Sequence, residues 1–199
     1  RSVTSGAMRL VLASGSPRRR DLLTTLGLVF ETVVPAVDET PRPGEPPVDY
    51  VRRVAGDKAR AVHGPDAATI AADTTVVVDG EILGKPGDGR EAAGMLARLA
   101  GRSHLVHTAV TVIGPGGEAA DVATAEVTMV DLDPDRIAWY VGTGEPLDKA
   151  GAYGLQGLGG VFVSDVRGDP TAVVGLPLAL LRATCRAAGF ELLDHGASR

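Results

Sequence analysis

Apolar and polar positions along this chain fall into short blocks whose period keeps changing, and each change marks an expected element. Residues 9–14 are a compact apolar run that ends in Ser-Gly-Ser-Pro, which predicts a buried strand. Ser16 and Pro17 then open a helix, because Ser is favoured at the N-cap and Pro at the first helical position. Leu22, Leu23 and Leu26 give that helix its apolar face and Gly27 ends it. Residues 30–34 predict a second strand, residues 35–47 with their five prolines a loop, and residues 48–63 an amphipathic helix. Residues 69–72 and 75–78 read as a strand interrupted by Asp73 and Thr74. Asp79-Gly80 is a hairpin turn leading into Ile82 and Leu83. A helix over 91–100 follows, then two alternating strands over 104–113 and 122–130, joined by Gly114-Pro115-Gly116-Gly117. Pro134 opens a short helix reaching Tyr140, residues 142–160 are glycine-rich and irregular, residues 161–166 are a strand, and residues 176–188 are a helix ended by Gly189. Alternating strands and helices define an α/β class, and the hairpins make the sheet mixed rather than wholly parallel.

Composition narrows the picture. Of 199 residues, 44% are hydrophobic and 23% charged, an ordinary globular balance that fits one domain over residues 8–199. No repeat or flexible linker divides it. A net charge of -5 argues against sequence-independent nucleic-acid binding, which needs a positive face to displace counterions. No apolar run approaches the roughly 18 residues of a membrane span. The single cysteine, Cys185, excludes an internal disulfide and a thiolate zinc cage; in its Leu/Ala-rich surroundings it reads as a packing residue in a reduced compartment. Residues 1–7 lack the apolar core of a signal peptide and look like a tag remnant before a native start at Met8, so the expected location is the cytoplasm.

Four clusters carry candidate chemistry. Ser14-Gly15-Ser16-Pro17-Arg18-Arg19-Arg20 lies where a strand hands over to a helix N-terminus, with two hydroxyls and up to three guanidinium groups around free backbone N–H groups. Cations at a helix N-terminus oppose its dipole at a cost of a few tenths to ~1 kcal/mol each, so three in a row call for an anion. The spacing of a P-loop is absent. Asp73, inside an apolar strand, is expensive to bury unless it is paired or used as a base or metal ligand; the plainer reading is an acid capping a turn at a bulge. Lys58, Lys85 and Glu39 are charges that say little singly. In residues 145–157, small residues and glycines would let the backbone approach a flat ligand, and the Gln156 amide could pair with a base edge. His63, His104, His107 and His195 share no metal spacing and read as structural or surface groups, and no Gly-x-Ser-x-Gly elbow indicates a serine hydrolase.

Ser14-Gly15-Ser16-Pro17-Arg18-Arg19, Ala72-Asp73-Thr74, Gly84-Lys85-Pro86, the block from Asp148 to Gly157, and Val174-Gly175-Leu176-Pro177-Leu178 resemble, in order, the signature blocks of the Maf family of nucleoside triphosphate pyrophosphatases. The resemblance implies a fold related to inosine triphosphate pyrophosphatases: an elongated, twisted mixed sheet flanked by helices, with two lobes around a central cleft. It implies cleavage of the α–β phosphoanhydride of a nucleoside triphosphate, giving monophosphate and pyrophosphate, with a divalent metal, Mg²⁺ or Mn²⁺. The family's general base falls on Asp73. Its phosphate and metal group falls on Ser14, Arg18, Arg19, Glu39, Lys58 and Lys85, with Ser16 in the same turn and the metal expected on Glu39 and Asp73. Base choice falls on Arg18, Thr74 and Gln156. The block around Gln156 is similar to the subgroup acting on dTTP and UTP. The family also suggests a homodimer and an association with arrest of cell division. Arg20 and Gly168-Asp169-Pro170-Thr171 depart from its usual pattern away from these residues. Alternative readings are a 7-methyl-GTP pyrophosphatase, a phosphatase or sugar-nucleotide hydrolase on the same cradle, and a non-catalytic nucleotide-sensing regulator.

Overall fold

In the computed structural model, residues 8–196 are described. Residues 1–7, read above as a tag remnant, lie outside them. In chain order the elements are β1 (Arg9–Ala13), α1 (Pro17–Thr25), β2 (Glu31–Val33), α2 (Pro47–Val62), β3 (Ala67–Val78), β4 (Glu81–Leu83), α3 (Gly89–Leu99), β5 (Ser103–Gly114), β6 (Gly117–Met129), α4 (Pro134–Gly142), β7 (Val163–Arg167), α5 (Pro170–Val174) and α6 (Leu178–Ala187). Short 3₁₀ turns at Glu145–Asp148, Ala150–Ala152, Leu158–Phe162 and Leu192–His195 fill the connections. Local chemistry sets several boundaries. The Asp88 and Asp133 side chains accept from Glu91 N and Arg136 N and so cap α3 and α4. Gly27 continues beyond α1 at φ +70°, where L side chains are strained.

Seven strands form one mixed sheet in the order β2-β1-β3-β5-β6-β7, with β4 also paired to β3. β1 runs parallel to β2 and β3; the remaining pairs are antiparallel. This is the α/β mixed sheet expected. No helix is long and apolar enough to cross a membrane among the described residues.

Three expectations change. β3 is one continuous strand, not an interrupted one, with Asp73 opposite Ala109 and Thr74 opposite Thr108. The antiparallel β5 supplies a full ladder along one edge of β3, so a polar pair need not break the strand once its side chains find partners. The expected helix over 176–188 starts later, because Gly175 at φ +119° and Pro177 at the cap separate α6 from a short α5. The irregular 142–160 region holds three of the 3₁₀ turns.

Two apolar cores share one face of β3. One gathers Leu12, Leu23, Ala68, Ile70, Ala72, Leu176 and Leu181; the other gathers Val76, Val78, Leu96, Leu99, Met129, Tyr140 and Phe162. Thr74 and its cross-strand partner Thr108 stand between them. On the opposite face, α2 lays Val51, Ala55 and Ala59 against Ala71 and Ala109. The edge of β3 away from β5 is divided. β1 pairs with residues 67–71 and β4 with residues 76–78, and no strand pairs with residues 72–75 on that edge among the described residues. Both flanking strands finish at this break, β1 at Ala13 opposite Ala71 and β4 at Leu83 opposite Val76.

Candidate active site

The break in the sheet is where the chemistry collects. Because β1 and β4 both end there, the segments that follow them, Ser14–Arg19 and Gly84-Lys85, enter one cleft from two sides. Successive strand residues point to opposite faces, but at an unpaired edge both faces open on the same space. Asp73 and Thr74 therefore line one cleft of about 610 Å³ together with Ser16, Arg18, Arg19, Glu39, Lys58, Lys85 and Gln156. Such a volume lies in the usual range for small-molecule sites.

Ser14 is the one expected contact set back from the cleft wall. It is buried, and its Oγ accepts from Ser16 N at 3.1 Å and from Arg19 Nη1 at 3.4 Å. Ser16 occupies the cap of α1, yet its side chain makes no capping bond and faces the cleft. Arg19 is buried and held rigidly: Nε donates to Gly175 O at 2.7 Å and Nη2 to Thr74 Oγ1 at 3.0 Å. The Thr108 hydroxyl donates to Ala172 O, so the Thr74 hydroxyl donates to Thr108 at 2.8 Å and receives Arg19. Thr74 thus both lines the cleft and holds Arg19 in place. Arg18 reaches across the cleft to Asp148 Oδ2 at 3.0 Å. The expected third guanidinium does not converge: Arg20 is exposed and does not line the cleft, since its position in α1 turns it outward.

Lys58, projecting from α2, is buried and donates both to Glu39 Oε2 and to Asp73 Oδ1, each at 2.8 Å. Asp73 is 5% exposed, and its second oxygen, Oδ2, is buried without a hydrogen-bond partner. Burial raises the Asp73 carboxyl above its ordinary value, against the pull of Lys58 and Arg19 toward the charged form. Burial likewise lowers Arg19, partly offset by Asp73. Lys85 is exposed at the rim and has no ion pair among the described residues. Gln156 is exposed within the cleft mouth.

The cleft also holds residues that have no individual assignment in the sequence pattern. Tyr50 lies two helical turns before Lys58 on α2; its hydroxyl donates to Glu39 O at 3.0 Å. Burial, then the negative charge of Asp73 and Glu39, pushes its phenol up to about 12. Tyr153 and Lys149 line the wall, and Val173, Val174 and Gly175 arrive from α5. Nothing local in the sequence links Arg19 to a carbonyl 156 positions away. The cleft lining carries five cations, Arg18, Arg19, Lys58, Lys85 and Lys149, against three carboxylates, Glu39, Asp73 and Asp148, in a chain whose net charge is -5.

The glycines of residues 151–160 are closely fitted to their neighbours. A Cβ on Gly151 would lie 2.8 Å from Val76 Cγ2, one on Gly154 2.7 Å from Lys149 Cε, and one on Gly157 2.9 Å from Glu145 Oε2. Their missing side chains make room for the protein's own side chains, and Gly154 also lines the cleft. The four histidines meet protein partners, as expected: His63 meets Thr69, His104 meets Tyr153, His107 meets Thr124, and His195 stands edge-on to Phe190. No group of three or more His, Cys, Asp or Glu is arranged around a metal position among the described residues.

Fold and cleft together define an α/β protein with a surplus of cations around a buried carboxylate at a break in its sheet. Residues 9–188 match the family described as Maf-like protein, and the chain belongs to that family. It is 55% identical over 190 residues to a protein of Anaeromyxobacter dehalogenans (strain 2CP-1 / ATCC BAA-258) named dTTP/UTP pyrophosphatase, with 94% of this chain and 97% of that one covered. Proteins of the same name from Bordetella parapertussis and Pelotomaculum thermopropionicum are 49% and 48% identical, covering 92% of this chain and 94% and 98% of theirs.

Proposed function

We propose that this chain is a nucleoside triphosphate pyrophosphatase that hydrolyses the α–β phosphoanhydride of dTTP or UTP to the monophosphate and pyrophosphate, in the cytoplasm. The observation that carries the reading is Asp73: a buried carboxylate with one uncommitted oxygen, ringed by cations at the break in the sheet. The kinship with proteins named for this reaction supports it.

Phosphoryl transfer asks a protein mainly for positioning and charge neutralisation. A triphosphate brings about four negative charges at neutral pH. Arg19, locked by Gly175 O, Ser14 and Thr74, offers a fixed donor set, while Arg18 and Lys85 meet the phosphates from opposite sides of the cleft. Asp73 takes the proton of the attacking water as its oxygen bonds to the α-phosphorus and the bond to the bridging oxygen breaks, so that pyrophosphate leaves. A carboxyl raised by burial is a better proton acceptor than an ordinary aspartate, and Lys58 and Arg19 beside it favour its charged form.

The donor set fits a divalent cation. Asp73 Oδ2 is an orphaned oxygen, and Glu39 shares the Lys58 ammonium with Asp73. Glu39 and Asp73 would hold Mg²⁺ or Mn²⁺, which when bound supplies further neutralisation of phosphate oxygens. Lys58 bridges both carboxylates and offsets one of their two negative charges.

The test is pyrophosphate release from common and modified nucleoside triphosphates, with Mg²⁺, with Mn²⁺ and with chelator. Metal-dependent release strongest with dTTP or UTP is expected. Asp73→Asn should keep nucleotide binding and lose about 10²–10⁴-fold in turnover; unchanged turnover removes Asp73 from the role of base. Release from 7-methyl-GTP alone overturns the choice of base, orthophosphate release overturns the reaction, and binding without any release leaves a nucleotide sensor.

A further inference from the structure

Residues 154–159 form the stretch of the cleft wall that carries Leu155 and Gln156, and a single acid closes it at its far end. The Glu145 carboxylate accepts from Leu158 N through Oε2 at 2.9 Å and from Gly159 N through Oε1 at 3.0 Å. The same Oε1 accepts from the Tyr140 hydroxyl at 2.9 Å. The Tyr140 oxygen in turn accepts from Gly154 N, the near end of the loop, at 3.3 Å. Both ends of the loop therefore rest on one carboxylate–phenol pair.

The pair is anchored and the loop is cut to fit it. Tyr140 is fully buried and packs edge-on against Phe162, with ring centroids 5.3 Å apart. Gly157 sits at φ 102°, ψ -156°, a conformation essentially reserved for glycine, and a Cβ there would press on Glu145 Oε2. A Cβ on Gly159 would overlap the Tyr140 hydroxyl. Glu145 does not line the cleft, and neither does Tyr140. Burial opposes the Glu145 charge, but the two amide donors and the phenol outweigh it, and the carboxyl sits below its ordinary value.

We propose that Glu145 is a specificity-positioning residue: with the Tyr140 hydroxyl it holds both ends of residues 154–159 and so sets where Leu155 and Gln156 meet the nucleobase. The inference rests on the reading of the cleft as a nucleoside triphosphate site, with the base at Gln156 and the phosphates at the Arg19 end. A residue acting this way controls discrimination between bases and leaves the phosphate end alone, because Arg19 and Asp73 are held by Gly175, Ser14, Thr74 and Lys58 and share no bond with Glu145.

The experiment compares Glu145→Ala, Glu145→Gln and Tyr140→Phe with the native chain in steady-state assays with dTTP, UTP, dCTP and dGTP, alongside competitive inhibition by inorganic pyrophosphate. For Glu145→Ala the expected result is a KM for dTTP raised about tenfold or more, with kcat changed much less, and a comparable loss of preference for dTTP over dCTP and dGTP. Pyrophosphate inhibition should change less than about twofold, since pyrophosphate uses only the phosphate end. Glu145→Gln keeps one acceptor oxygen and should restore part of the preference, with Tyr140→Phe intermediate. Unchanged preference in Glu145→Ala, or equal losses in kcat, preference and pyrophosphate inhibition, overturns the proposal. If Glu145→Ala fails to fold, Glu145→Gln and Tyr140→Phe decide it: native preference in both overturns it. Failure of the underlying reading looks different, because the native chain itself would then release no pyrophosphate from dTTP or UTP.

Discussion

Asp73 and Thr74 are neighbours in sequence with separate tasks. Asp73 turns toward α2 and meets Lys58; Thr74 turns toward the other face and meets Arg19 and Thr108. A strand paired on both edges would have hidden them on opposite sides of the sheet. His104 shows the same dependence on surroundings. It lies buried on β5, with Nε2 2.6 Å from the Tyr153 hydroxyl and Nδ1 unpartnered. Burial lowers it from its ordinary value of 6.5 to about 4. The folded state therefore refuses a proton that the unfolded chain accepts. Above pH 6.5 both states are neutral and nothing is lost; stability falls as the pH drops from about 6.5 and stops falling on this account near 4. A shift of this size corresponds to about 3 kcal/mol across the window. His104→Gln, which can still accept from Tyr153, should show a shallower fall than the native protein in denaturant midpoints measured from pH 7 to pH 4. Parallel curves would remove His104 as the cause.

At the level of elements, the connection between α4 and β7 is the least regular part of the chain and the most closely fitted. Gly151 donates its N–H to Gly84 O at 3.1 Å, which ties the loop bearing Lys149 and Tyr153 to the turn bearing Lys85. It does so at φ +69°, with Val76 against the space where a Cβ would stand. Gly151→Ala combines a left-handed backbone with overpacking and should cost roughly 2–4 kcal/mol, read from chemical denaturation. A change within about 0.5 kcal/mol would mean that the loop shifts freely to make room.

Across the whole molecule, the long strands β3, β5 and β6 make one body of two cores. Val110 and Val112 of β5 belong to one core and Val106 to the other, just as Ala72 and Val76 do on β3. Leu96→Ala in α3 and Leu181→Ala in α6 each remove a fully buried side chain from a different core. Each should lower stability by about 2–5 kcal/mol. Because the strands are continuous, each variant should unfold in one transition by both far-UV circular dichroism and tryptophan fluorescence, although Trp139 reports only from α4. Two separated transitions would mean that the lobes fold apart.

The class of fold and most of the site's membership were legible in the order of residues. Short apolar runs, capping residues and glycine stops depend on neighbours a few positions away, so strands and helices could be read along the chain with errors of a few residues at their ends. The phosphate turn at Ser14–Arg19 and the cost of Asp73 in an apolar strand are likewise local facts. What only the folded chain decided is contact across long separations. Lys58 between Glu39 and Asp73, Arg19 on Gly175 and Thr74, and Arg18 on Asp148 all depend on where β1 and β4 stop beside β3. The sequence carries the charge of each group. Its partner, its burial and hence its proton affinity come from strand register and helix packing, which no single stretch of the chain contains.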